Sequence, residues 1–254
     1  MANDFSADSN CVAEYRFEDG ALDVDSKGSN TLTKVFKCDV DTSDYKQGAA
    51  SIDRADNSDI YLDDADMSSD FPLKYGTTNK TISVTLWVKW DAAPVSADRI
   101  WAKAYWPDDK ISLYVYARES FYNFRYVLGY NNGAAYEVLY TGSVAVSGRW
   151  YHIGFTYDDT DKSWKFVVWD DTAQSKVDNA SGTAENNISL TEAEMAIGQE
   201  GTNLYEINAH FDEVVIFKDV LSTQEIDDIR QGNYPAGAPE AKPYWYYELM
   251  RKAG

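Results

Sequence analysis

"HFDEVVIFKDVLSTQEIDDIRQG", residues His210–Gly232, decides the fold class. Its first half is rich in strand formers, and its second half is written for a short helix. Ser222 followed three residues later by Glu225 is a capping box, in which each side chain accepts the other residue's backbone N–H. Leu221 and Ile226 occupy the two positions of a hydrophobic staple. Ile226 and Ile229 form one apolar stripe, while Asp227, Asp228 and Arg230 face water. Gly232 suits the left-handed position that ends a helix. The spacing predicts a helix over Thr223–Gln231 that closes one end of a β structure. Asp212 is the anomaly, an acid placed where the strand should be entering the core.

Working outward, period-two alternation recurs. In "TISVTLWVKW" (Thr81–Trp90), Ile82, Val84, Leu86 and Val88 fall on one face and Ser83, Thr85, Trp87 and Lys89 on the other. In "ISLYVYARES" (Ile111–Ser120), Ile111, Leu113, Val115 and Ala117 oppose Ser112, Tyr114, Tyr116 and Arg118. "GRWYHIGFTYDDTDKSWKFVVWDD" reads as a hairpin turning at "DDTDKS". The acid-crowded stretch "ADNSDIYLDDADMSSD" (Ala55–Asp70) reads as a solvated loop, or as one that ligates a cation. Short strands with regular turn punctuation predict an all-β protein, an antiparallel β-sandwich with one short C-terminal helix. Residues 1–234 form one domain, and 235–254 form an arm that packs on the sandwich or protrudes.

Acids outnumber bases 42 to 23, giving a formal charge of −19. Such a chain repels phosphate backbones and anionic bilayers, so neither nucleic acid nor membrane is expected as a partner. No run reaches the roughly 18–20 apolar residues of a membrane-spanning helix. The start, "MANDFSADSN", lacks the basic and apolar regions of a secretory signal peptide. Cys11 and Cys38 either pair or remain two buried thiols.

Several of these segments together resemble a known family. "FDEVVIFKDVLSTQEIDDI", "CVAEYRFEDG…DVDSKGSN", "KTISVTLWVKW", "SGRWYHIGFTYD" and "AIGQ" stand in the order found in laminin-G-like jelly-roll domains of the concanavalin A-like lectin/glucanase superfamily. The resemblance runs from about Cys11 to about Tyr234. It implies a jelly roll with its first and last strands side by side, which brings the Asp25 loop near Asp212. In many relatives that region holds structural Ca2+, so the resemblance implies calcium on Asp25, Asp212 and loop carbonyls. The other reading is that Asp212 caps backbone N–H groups or pairs with an arginine. "DVDSKG" is no EF-hand, because its fifth position is Lys27 and its twelfth Lys34.

Two aromatic sets are candidate ligand contacts. A pyranose presents a C–H-rich face to flat aromatic rings and hydroxyls to polar neighbours. On the sheet, Trp87, Tyr114, Tyr116 and Arg118 share polar-side positions and form a platform if that face is open. In loops, Tyr105 and Trp106 of "KAYWPDDK", and Tyr130 and Asn131 of "LGYNNGAAY", have the composition of a lectin site. Pro107 is expected to hold the Trp106 backbone extended.

No catalytic constellation stands out. The Glu-x-Asp-x-(x)-Glu strand of related glucanases is absent, and His152 belongs to the Trp-Tyr-His fold signature. The leading expectation is a non-catalytic binding or adhesion domain for glycans or another surface polymer, extracellular or on a virion or cell surface. The alternatives are an interaction domain among other subunits of a surface layer or virion, and a polysaccharide-cleaving enzyme.

Overall fold

The structure, a computed structural model, describes residues 3–92, 97–118, 123–201 and 205–235, without the side chains of Asp56 and Arg118. The strands are β1 (Cys11–Tyr15), β2 (Lys34–Asp41), β3 (Ser51–Leu62), β4 (Thr81–Trp90), β5 (Ala97–Tyr105), β6 (Lys110–Arg118) and β7 (Asn123–Tyr130). They continue as β8 (Ala135–Val144), β9 (Trp150–Asp158), β10 (Ser163–Asp170), β11 (Ser175–Thr183), β12 (Met195–Ile197) and β13 (Ala209–Phe217), followed by the helix α1 (Thr223–Arg230). Their pairings are antiparallel, in the order β11-β10-β9-β4-β13-β3-β12-β5-β6-β7-β8, with β1 on β13 and β2 on β3. The short strand β12 links β3 to β5, and there the sheet folds back on itself. Rings meet across the fold: Trp101 lies 5.4 Å from Phe155, and Trp90 lies 5.6 Å from Phe124. This is the expected antiparallel jelly-roll sandwich.

Alternation assigns the faces. Ile82, Val84, Leu86 and Val88 of β4 enter the core, as do Leu113, Val115 and Ala117 of β6. Ile111 instead packs with Tyr114 and Tyr116 on the outer side, beside a register shift between Lys103 and Ala104. In β13 the parity itself changes. Ala209 and Phe211 face the core, and so do Val214 and Ile216. A bulge between Asp212 and Val215, with Glu213 at φ 48, supplies the extra residue. The bulge explains the misplaced acid. It lets one strand serve the core on both sides of the kink while the acidic pair Asp212–Glu213 sits at the kink.

Past the bulge, Val215 and Phe217 turn outward and are covered by Ile226 and Ile229 of α1. Gly154 of β9 permits the contact, since a Cβ there would lie 2.5 Å from Ile226 Cγ2. The capping box forms as expected: Glu225 N–H donates to Ser222 Oγ at 3.1 Å, and Ser222 N–H donates to Glu225 Oε2 at 2.7 Å. Ser222→Ala should therefore destabilise the fold by about 1 kcal/mol, read as a lower denaturation midpoint at unchanged m-value.

The acid-rich stretch corrects the loop expectation. Residues Ser51–Leu62 are one continuous strand. Three of the acids in and after it, Asp59, Asp64 and Asp70, are paired separately with lysines rather than gathered around one cation. Asp59 meets Lys34, Asp64 meets Lys103 at 2.7 Å, and Asp70 meets Lys218 at 2.7 Å. Lys103 is fully buried, and that burial lowers its pKa to about 8 despite the Asp64 carboxylate. Cys11 and Cys38 are free thiols. The arm at 236–254 lies outside the described residues.

Candidate functional site

The β5–β6 hairpin builds the most distinctive surface feature. Its register sets Arg99 opposite Tyr116 and Ala102 opposite Tyr114. Arg99 is buried, and its guanidinium lies 4.2 Å from the Tyr114 ring, 5.1 Å from Tyr116 and 4.3 Å from Tyr205. Its Nε donates to Glu200 Oε2 at 2.6 Å, and Nη1 donates to the Ala97 carbonyl at 2.9 Å. Glu200, fully buried, also accepts the Trp106 backbone N–H. A buried ion pair is tolerated when further hydrogen bonds and close packing satisfy it, as here. It ties the turn carrying Trp106 to the sheet.

Above this pair the aromatic rings open outward. Trp106, Tyr136 and Tyr205 are 36%, 46% and 36% exposed, and Trp106 stands edge-on to Tyr136 at 5.1 Å. With Tyr114 and Tyr116 as floor they enclose a shallow recess of about 120 Å³. Arg99 is neutralised by Glu200, so the recess offers ring faces and phenol hydroxyls without a net charge.

The two aromatic sets read from the sequence thus partly merge. Trp106 forms the rim, and Tyr114 and Tyr116 form the floor, covered by Arg99 and Tyr205 rather than standing as an open platform. Trp106 does not take the expected extended backbone. It opens a 3-10 turn, Trp106–Asp108, closed by the Asp109 N–H on the Trp106 carbonyl at 3.1 Å with Asp109 at φ 54. Tyr105 packs its ring over Gly201, where a Cβ would lie 2.2 Å from it. Trp87 is elsewhere and buried, under the Lys46 ammonium at 4.9 Å and beside the His152 ring at 5.0 Å. Tyr130 and Asn131 lead into a turn that borders another recess, lined by Tyr75, Lys110, Asn132 and Leu190. The Arg118 side chain lies outside the described residues. Arg99, Tyr136, Glu200 and Tyr205 escaped the sequence reading. Reading "ADRIWAKAYWPDDKISLYVYAR" as a hairpin about "WPDD" would have placed Arg99 opposite Tyr116.

Asp25 and Asp212 share no hydrogen-bond partner. Asp25 Oδ1 accepts the N–H groups of Glu14 and Lys27, and Oδ2 accepts that of Asn30, each at 2.9 Å. Asp212 Oδ2 accepts the N–H groups of Lys46 and Gln47 at 2.7 and 2.9 Å, while Oδ1 has no partner. Burial pushes the Asp212 carboxyl up to about 7, and burial with the adjacent Asp212 charge pushes Glu213 up to about 8. His152 is buried, which lowers its pKa to about 3 and keeps the ring neutral. Among the described residues no helix is long and apolar enough to cross a membrane.

A laminin-G family model of the concanavalin A-like lectin/glucanases superfamily matches residues 56–227, more than half of the chain. The chain belongs to that superfamily. No curated protein matches it. Among solved structures, this superfamily member is similar to domain 4 of AbnA, a GH43 extracellular arabinanase from Geobacillus stearothermophilus, in complex with arabinotriose. That likeness has 17% identity and a TM-score of 0.63, and covers 87% of this chain and 98% of the other. It is also similar to the binding domain of botulinum neurotoxin serotype D, with 14% identity, 88% and 52% coverage and a TM-score of 0.62. The binding domain of botulinum neurotoxin DC in complex with SialylT has 10% identity, 88% and 51% coverage and a TM-score of 0.60. The chain thus spans about half of these toxin binding domains. At such identities the likeness establishes the fold alone.

Proposed function

We propose that this chain is a non-catalytic carbohydrate-binding domain that holds a glycan on Trp106, Tyr136 and Tyr205. One observation carries the reading. Three half-exposed aromatic residues, from the β5–β6 turn, strand β8 and a distant segment, converge over a buried Arg99–Glu200 pair. Rings anchored this way present fixed faces to the C–H side of a sugar, and rigid placement lowers the entropic cost of binding. The uncharged character of the recess favours a neutral, hydroxyl-rich polymer over a polyanion. Two similar structures were solved with sugars, arabinotriose and SialylT, which supports the same class of ligand.

Calcium does not enter this proposal, because N–H donors already occupy three directions around Asp25 and two around Asp212. Placement at a cell or virion surface suits a domain of this kind. The test is a glycan array with and without EDTA, spanning arabinan fragments, other neutral polysaccharides and sialylated glycans. Binding to a neutral polymer that survives EDTA is expected. Binding that needs calcium, or turnover of a bound polymer, would contradict the reading.

A further inference from the structure

Sheet register lays a row of polar side chains across the outer face, far from the helix end of β13. Asp39 of β2 pairs with Asp53 of β3, Asp53 with His210 of β13, and His210 with Lys89 of β4. Residues adjacent to this row, Ile52, Phe211, Val88 and Trp90, all enter the core, so the row points outward. Asp41 and Asp91, two positions beyond Asp39 and Lys89, join the same side. His210 is consequently set among carboxylates on both of its nitrogens. Nδ1 lies 3.1 Å from Asp91 Oδ1, and Nε2 lies 3.1 Å from Asp41 Oδ2. Asp53 supplies a third donor: one atom each from Asp53, Asp91 and His210 lies within 4.8 Å of the others.

We propose that Asp53, Asp91 and His210 Nδ1 bind a divalent transition metal of the zinc class. Asp41 then acts from behind, taking the Nε2–H and fixing the imidazole tautomer that leaves Nδ1 bare. Metal-bound histidines almost always donate their other ring N–H to an outer acceptor, and a carboxylate is one of the common ones. Asp41 is itself held in place by the Ser43 N–H and hydroxyl, both at 2.7 Å, and by the Asp44 N–H at 3.2 Å. Asp53 accepts no hydrogen bond from the described residues, so its oxygens are available to a cation. Lys89, the cation in the row, is drawn away to Asp44. The Trp150 ring, 6.3 Å from the imidazole, walls one side, while Asp41 and Asp91 at 24% and 32% exposure leave an entry from solvent. A mixed imidazole–carboxylate set suits zinc, cobalt or manganese, whereas calcium takes oxygen ligands only. Zinc bonds of about 2.0–2.2 Å require the three donors to close to roughly 3.3 Å of one another. The His210–Asp91 pair is already that close at 3.1 Å, and Asp53 starts within 4.8 Å of both. The proton displaced from Nδ1, where one is present, leaves to solvent on binding.

The test is calorimetric titration of the untagged, chelator-treated chain with Zn2+, repeated with Co2+ in the visible absorption. One equivalent should bind and raise the melting temperature, with Co2+ bands of a low-coordinate nitrogen–oxygen site. Asp53→Asn breaks no hydrogen bond, so it should leave the metal-free melting temperature unchanged and weaken Zn2+ at least tenfold. Asp91→Asn should weaken it similarly, and Asp41→Asn should do so by about 10- to 100-fold through the imidazole. Absence of stoichiometric binding, several weak equivalents, or tight binding that survives both Asp53→Asn and Asp91→Asn would overturn the site.

Discussion

Trp101→Ala should cost the fold about 3–5 kcal/mol. Trp101 is fully buried in β5 and meets Phe155 of β9 from the opposite layer at 5.4 Å. Its indole Nε1 has no hydrogen-bond partner. Truncation therefore removes packing alone and leaves a cavity without stranding a partner. Among the described strands the two layers pair only through the β3–β12–β5 link, so ring packing across the core carries much of their attachment. Domains are stable by about 5–15 kcal/mol, so this one change consumes a large part of the total. Chemical denaturation at constant pH reads it directly. A loss below about 1 kcal/mol would mean that Trp101 does not bridge the layers.

The second large effect is a dependence on pH. Unfolded Asp and Glu titrate near 3.9 and 4.3. In the folded chain burial raises Asp212 to about 7 and, with the Asp212 charge, Glu213 to about 8. Between roughly pH 4 and 8 the folded state therefore keeps protons that the unfolded state releases. Stability falls as pH rises through that window and levels off above it. One pKa unit corresponds to about 1.4 kcal/mol, so Asp212 alone accounts for on the order of 4 kcal/mol across the window. Urea midpoints at pH 4.5 and pH 8 should separate clearly for the natural chain. In Glu213→Gln the separation should shrink, because one titrating group and one repulsive charge are gone. Equal pH responses in the two proteins would refute this origin.

The fold was legible because its signals are local. Alternation in Thr81–Trp90 and the Ser222–Glu225 box each follow from residues within a few positions of one another. Beyond that range legibility failed for identifiable reasons. Residues 55–62 look like a loop because they are rich in acids, yet they continue β3, where Asp59 is balanced by Lys34, brought in by pairing with β2. Asp212 stood out as an acid in a core strand, but nothing local announces the bulge, which needs Glu213 at positive φ, or the Lys46 and Gln47 N–H groups that the carboxylate accepts. Trp87 looked available as a platform, yet Lys46, far from it in sequence, lies over the ring. The aromatic recess was half visible. Trp106, Tyr114 and Tyr116 stood out by type and spacing, Arg99 joins them through the β5–β6 hairpin register, and Glu200 and Tyr205 join only through tertiary contacts.

The carbohydrate reading rests on exposed rings, and one titration addresses it most directly. The neutral glycan with the strongest array signal is titrated by calorimetry into the natural chain and into Trp106→Ala, with melting temperatures recorded for both. Loss of a stacked aromatic should cost about 1–3 kcal/mol of binding, roughly 5- to 150-fold in Kd. The melting temperature should stay the same, since Trp106 is an exposed rim residue. Unchanged affinity in Trp106→Ala, or weakened binding accompanied by a melting temperature several degrees lower, would contradict the account.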